Sequence, residues 1–268
     1  MAIPSPRSGA AALITGASSG IGAELARGLV ARGHDAILVA RRRDRLTAYA
    51  RELSAGGRRR IEVIAADVSD PDGRAGLLAD LAQSGLEIDV LVACAGFGMG
   101  GPFIDADPGR IQELIRTNVE GTFLLTRALA PAMVARGEGA ILLVSSMAGN
   151  QPMPNFGAYA ATKAAVTSLA EALHWELGRH GVTVTGLCPG GVRTEFSEVA
   201  GMLGTESRTP SALMAEPAEI AEAGLRALAQ SKRVVIPRRS VRAFAWVGSH
   251  APRRMWLPLV GRMMGDGN

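Results

Sequence analysis

Tyr159 and Lys163 stand four residues apart in the run Tyr159-Ala160-Ala161-Thr162-Lys163-Ala164-Ala165, in a chain that otherwise has one tyrosine, Tyr49, and one lysine, Lys232. The alanine-rich run reads as helix, and four residues make about one turn, so the phenol and the ammonium share a face. A tyrosine ordinarily ionises near pH ~10. A unit positive charge at ~4 Å, in an effective dielectric of ~20, is worth about 4 kcal/mol and would lower that value. The pair is therefore expected to move a proton near neutral pH, the work of a general acid or base. Two more polar side chains fall where they could converge on it. Ser146 closes an apolar strand thirteen residues earlier, and Asn118 sits inside a helical stretch, where a buried amide needs a polar partner.

A second group of residues suits a phosphate-bearing ligand. Thr15-Gly16-Ala17-Ser18-Ser19-Gly20-Ile21-Gly22 follows the first apolar strand and opens a helix. Small residues there let the backbone approach a pyrophosphate, and the free amides of the helix start favour anions. The spacing G-x-x-x-G-x-G differs from the G-x-G-x-x-G fingerprint of other dinucleotide folds. After the second strand comes Arg41, where a fold selecting NAD presents an acid to the ribose; the arginine favours a 2′-phosphate and hence NADP over NAD. Asp67 and Val68 after the third strand are placed to meet an adenine. Ala95 and Gly96, in Ala93-Cys94-Ala95-Gly96, are small enough for a flat cofactor to cross the strand tips.

These groups must be positioned by elements of alternating type. Strands are expected at 11–15, 36–40, 61–65, 90–93, 140–145, 183–187 and 234–236. Helices are expected at 21–32, 43–55, 73–84, 108–136, 158–180 and 217–230. Strand-helix alternation predicts a single α/β domain, a Rossmann-type doubly wound seven-stranded parallel sheet whose ligands lie at the carboxyl ends of the strands. At 268 residues and 47% hydrophobic content the chain can bury one substantial core.

Composition narrows the class further. No apolar run is long enough to span a bilayer, and the start lacks the apolar segment of a signal peptide, so a cytoplasmic protein is expected. The two cysteines, Cys94 and Cys188, sit in apolar segments and read as buried small residues, and no metal-ligand spacing is present. A net charge of +4 and aromatic content of 4%, without a nucleic-acid motif, argue against nucleic-acid binding.

From about Ala10 to Pro237 the order of these motifs resembles the short, single-domain branch of the short-chain dehydrogenase/reductase family. The resemblance implies a nicotinamide cofactor, a carbonyl and alcohol as reactants, and pairing into a homodimer or homotetramer. It implies that Tyr159 protonates the carbonyl oxygen, Ser146 hydrogen-bonds that oxygen, Lys163 holds the ribose and lowers the tyrosine pKa, and Asn118 fixes a water. It also makes Pro189, Gly190, Val192 and Thr194 the segment that brackets the nicotinamide. One departure is visible: the family often carries two asparagines before Ala-Gly on the fourth strand, where this chain has Ala93-Cys94, which is expected to loosen that strand's link to its neighbours.

Glu195 to Glu216 reads as a substrate lid. Its apolar residues Phe196, Val199, Met202 and Leu203, with Phe97, Met99, Met153, Pro154 and Phe156, suggest a hydrophobic small-molecule, lipid or acyl substrate. The tail, residues 238–268, interleaves arginines with Phe244, Trp246, Met255, Trp256 and Leu259. It is expected to cover the substrate cleft, pack against another subunit or lie on a membrane surface, with Pro252 and Pro258 interrupting any long helix. The alternative to an NADPH-dependent oxidoreductase is a catalytically idle NADP(H)-binding regulator or membrane-associated scaffold.

Overall fold

The computed structural model describes residues 3–57, 59–201 and 214–265. Apolar runs become strands covered on both faces, because a parallel sheet between helical layers has no wet side. Every residue of β1 (Ala10–Thr15) and β5 (Gly139–Val144) is buried, as is all of β4 (Glu87–Ala93) after its first residue. They join β2 (Asp35–Ala40), β3 (Ile61–Ala65), β6 (Val182–Leu187) and β9 (Val234–Val235) in a seven-stranded parallel sheet of order β3-β2-β1-β4-β5-β6-β9. All seven expected strands are present, with small shifts at their ends. A two-stranded ribbon of β7 (Gly191–Val192) and β8 (Met214–Ala215) adds to them and has no counterpart in the sequence reading.

Helices α1 (Gly20–Ala31), α2 (Arg43–Ser54), α3 (Pro71–Ser84), α4 (Pro108–Ile115), α5 (Thr122–Arg136) and α6 (Gly157–Gly178) connect the strands up to β6. The short α7 (Phe196–Val199) lies between β7 and β8, and α8 (Pro217–Ala229) precedes β9. Two helix starts are set by local chemistry. Asp70 accepts from Gly73 N with Pro71 next in line, and Asp107 accepts from Arg110 N ahead of Pro108. The stretch 108–136 is not the one helix expected. A π turn, Arg116–Gly121, separates α4 from α5 and holds Asn118, which is fully buried. A π turn widens the helix by one residue and is commonly found at functional sites.

The core has three parts. One cluster on each sheet face joins strand residues such as Ile14, Leu38 and Leu142, or Leu13, Leu91 and Ile141, to the flanking helices. Each such side chain contributes about 1.5–3 kcal/mol when taken fully out of water. The third cluster sits beyond the strand tips and contains Phe97, Met153, Phe156 and Tyr159 with Trp256 and Val260 from the tail. That tail forms α9 (Arg239–His250) and α10 (Arg253–Met264). Pro252 does separate them, but Pro258 lies inside α10 and does not interrupt it. Pro258 is exposed, so solvent can serve the carbonyl that its missing N–H leaves free. Residues 202–213 of the expected lid, Met202 and Leu203 among them, lie outside the described residues.

Near the amino end of the central strand β4, Asp89 is buried with neither carboxylate oxygen hydrogen-bonded, and burial raises its pKa to about 6 despite the attraction of Arg7 and Arg136. A carboxyl whose folded pKa exceeds its unfolded value of ~3.9 adds stability below the latter, and loses it as pH rises through the former. Asp89→Asn removes the charge at constant shape. Its thermal midpoint is expected to exceed that of the parent at pH 7.5, by an amount equivalent to about 2–3 kcal/mol at most, and to match it near pH 4. A midpoint difference independent of pH between 4 and 7.5 would contradict this account.

Candidate active site

The strand order reverses between β1 and β4, and the loops leaving their carboxyl ends splay apart there, which is where a crevice forms in such sheets. A cavity of about 520 Å³ occupies this position. Its base is the turn after β1. Gly16 has φ of +69°, and a Cβ there would lie 3.0 Å from the backbone of Cys94 and Ala95. At Gly22 a Cβ would sit 2.3 Å from Gly16 O. The turn therefore closes only with glycine at both places, and its backbone can approach a ligand closely.

Thr15 links this turn to β4. Its Oγ1 accepts from Cys94 N and Ala95 N, each at 3.1 Å. The loosened β4 expected from the missing asparagines is thus not what the structure shows, because a neighbouring hydroxyl serves those amides. Asn118 secures the chain two residues on: Oδ1 accepts from Phe97 N, and Nδ2 donates to Phe97 O, all at 3.0 Å, and to Thr162 Oγ1 at 3.1 Å. Asn118 does not line the cavity, and its side chain holds the backbone of Phe97 and the Thr162 hydroxyl beneath it.

Tyr159 enters from the third residue of α6, held between Phe156 and Phe196 at centroid distances of 4.4 and 5.4 Å. With it in the cavity wall stands Ser146, which follows β5 and caps a short 3-10 turn, Met147–Asn150, by accepting from Ala148 N. One turn along α6, Lys163 Nζ donates to Val144 O at 2.9 Å. Ser145 Oγ in turn donates to Lys163 O at 2.7 Å, so the strand end and the helix are laced together at the reacting residues.

The electrostatics differ from the sequence expectation. Burial raises the Tyr159 pKa above its ordinary value, an effect that Ser146 offsets only in part, and lowers that of Lys163 to about 8. Desolvation opposes the charged form of each group, and the lysine ammonium is directed to a backbone carbonyl, with Nζ 5.9 Å from the tyrosine ring centre. The one-turn spacing brings the pair together without making the phenol acidic.

Gly16, Ser18, Ser19, Gly20, Ile21, Gly22, Arg41, Asp67, Val68, Ala95, Gly96, Pro189, Gly190, Val192 and Thr194 all line the cavity with Ser146, Tyr159 and Lys163. Asp67 Oδ1 accepts from Ser69 N and Ser69 Oγ, while Oδ2 lies 3.8 Å from Arg41 Nη1. Sequence reasoning passed over Arg42. Its guanidinium donates to Ser18 Oγ at 3.2 Å and Ser19 Oγ at 3.4 Å, over the turn itself, and pairs with Glu195 at 3.2 Å. The adjacent arginine was its only signal. Phe97, Met153, Phe156, Phe196 and Val199 line the other end, together with Phe244, Met263 and Met264 from the tail, whereas Met99 and Pro154, expected with them, do not line it. Among the described residues no cluster suited to a metal ion is present.

The family model described as short chain dehydrogenase matches residues 10–201. Galactitol 2-dehydrogenase (L-tagatose-forming) of Cereibacter sphaeroides is 38% identical over 224 residues, covering 81% of this chain and 87% of its own. Dehydrogenase/reductase SDR family member 7B of Bos taurus is 32% identical over 237 residues, covering 85% and 73%. Among solved structures, a short-chain dehydrogenase from Sphingobium yanoikuyae in complex with NADPH superposes with a TM-score of 0.80 at 34% identity, covering 90% of this chain and 93% of that one.

Proposed function

The chain belongs to the short-chain dehydrogenase/reductase family of NAD(P)-dependent oxidoreductases, and from that premise we propose that it interconverts a carbonyl and an alcohol on a hydrophobic small molecule or lipid/acyl substrate, with NADPH preferred over NADH. The observation that carries this reading is the buried Tyr159, lining one cavity with Ser146 and with Lys163 one turn away, where that cavity begins at a glycine turn.

The residues present fit a dinucleotide phosphate. Gly16 and Gly22 leave no room for a side chain and expose backbone at the helix start, while Arg41 and Arg42 supply cations at the end of β2. Asp67 and Val68 flank the adenine end, and Pro189, Gly190, Val192 and Thr194 the nicotinamide end. When bound, the nicotinamide supplies the hydride, which no side chain here can. Tyr159 donates its proton to the carbonyl oxygen in reduction, and Ser146 hydrogen-bonds that oxygen as negative charge grows on it. Because burial keeps the phenol protonated at neutral pH, Tyr159 holds the proton that reduction consumes. Lys163 holds the ribose, and Asn118 acts beneath them by setting the backbone at Phe97.

Phe97, Met153, Phe156, Phe196 and Val199 make the substrate end apolar, which supports a hydrophobic substrate. The described part of the expected lid supplies Phe196, Val199 and Met214 to this wall. Pairing of chains through α4, α5 and α6 is supported by exposed Ile115, Leu124 and Trp175. Two free cysteines accord with a cytoplasmic location. An idle NADP(H)-binding regulator would have no use for Ser146 and Tyr159 together. Oxidation of NADPH, followed at 340 nm against a panel of hydrophobic ketones, is expected to show turnover; tight NADPH binding with no turnover on any of them would favour the regulator.

A further inference from the structure

Between Arg239 and Gly265 the chain carries five arginines and no Asp or Glu. Helices α9 and α10 each turn one face inward, where Val241, Ala245, Trp256 and Val260 are buried and Phe244 meets Trp256 at 5.0 Å. Their remaining surface is unusually apolar. Trp246 is 61% exposed, Met255 66%, Leu259 52% and Met263 45%. Arg239, Arg242, Arg254 and Arg262 stand among these residues with no acidic partner among the described residues. A monomer surface seldom leaves so many large apolar side chains in water without a use.

We propose that α9 and α10 dock the protein on an anionic lipid bilayer, lying in the plane of the headgroups with Trp246, Met255 and Leu259 inserted and the arginines on lipid phosphates. Twelve residues per helix are too few to cross a bilayer, and no helix among the described residues is long and apolar enough to do so. Lying flat is the geometry open to short amphipathic helices with basic and aromatic side chains. Charge selects this occupant over a second copy of the chain. A two-fold contact through this face would set its arginines against each other, whereas anionic headgroups accept both the apolar side chains and the cations. The same two helices wall the substrate cavity through Phe244, Met263 and Met264. Docking therefore places the apolar end of the cavity beside the lipid phase, and a hydrophobic substrate can enter from there; only this last clause rests on the carbonyl-reductase reading.

The test is flotation of the full-length protein with phosphatidylglycerol/phosphatidylcholine vesicles and with phosphatidylcholine alone, without cofactor or substrate, so that its outcome is independent of activity. Partitioning is expected to be about tenfold or more stronger on the anionic vesicles and to weaken with salt. Trp246→Glu/Leu259→Glu should abolish it, and Arg239→Gln/Arg242→Gln/Arg254→Gln should weaken it at least tenfold, with circular-dichroism melts reporting the fold of each variant. These are surface positions, so one set serves if the other melts early. The proposal fails if anionic vesicles do not bind the protein, if both lipid compositions bind it equally, or if the folded variants bind as the parent does. A change of oligomeric state in light scattering, with vesicle binding retained by the variants, would instead make this face a contact between copies.

Discussion

Tyr159→Phe is expected to lower kcat for carbonyl reduction by roughly 10²–10⁴-fold while leaving the dissociation constant for NADPH close to that of the parent. The substitution removes one hydroxyl yet keeps the ring between Phe156 and Phe196, so the cavity wall is preserved. The rate effect follows from the lack, among the described residues, of another comparable acid at this place. Lys163 is turned to Val144 O, and the Ser146 hydroxyl, though able to donate a hydrogen bond, is aliphatic and a far weaker acid than a phenol. Steady-state rates with the best ketone, alongside NADPH titration by fluorescence, check both halves. Turnover within a few fold of the parent would remove Tyr159 from the role of acid.

Arg41→Ala and Arg42→Ala are each expected to weaken NADPH binding by about 10- to 100-fold, as loss of a charge-assisted hydrogen bond worth ~1.5–3 kcal/mol requires. NADH, which lacks the 2′-phosphate, is expected to change by less than about threefold. The two arginines differ in their surroundings. Arg41 leans toward Asp67 and Glu113, at 3.8 and 3.4 Å, while Arg42 reaches Ser18 and Ser19 on the glycine turn and also Glu195. Arg45 holds the other oxygen of Glu195 at 2.6 Å, so Glu195 keeps one cationic partner when Arg42 is lost. Titrations of both nucleotides with both variants decide the matter. Equal losses for NADPH and NADH would show that these side chains support the turn rather than the 2′-phosphate.

Most of the sheet was legible because its strands are buried on both faces. Runs such as Ala36 to Ala40 and Ala140 to Val144 can satisfy neither a wet surface nor a helix of useful length, and their alternation with amphipathic stretches leaves little choice of topology. The π turn at Arg116–Gly121 was not legible. Nothing in Arg116-Thr117-Asn118-Val119 departs from helical spacing, and the turn is set by what Asn118 meets across the fold, the backbone of Phe97. Pro258 misled for the complementary reason: its cost depends on whether solvent reaches the carbonyl one turn earlier, a property of placement.

The candidate site divides along the same line. By itself the sequence determined which side chains could serve: the glycines that alone fit a close turn, the arginine after β2, and a tyrosine and lysine one helical turn apart, since each follows from covalent geometry over a few residues. Only the tertiary structure decided how they behave. It turned Lys163 toward Val144 O and raised the Tyr159 pKa through burial, set Thr15 to serve the amides of Cys94 and Ala95, and brought Arg42 over the turn. It also folded the tail across the apolar end of the cavity. Desolvation and hydrogen-bond partnership are set by neighbours distant in the chain, and local spacing carries no record of them.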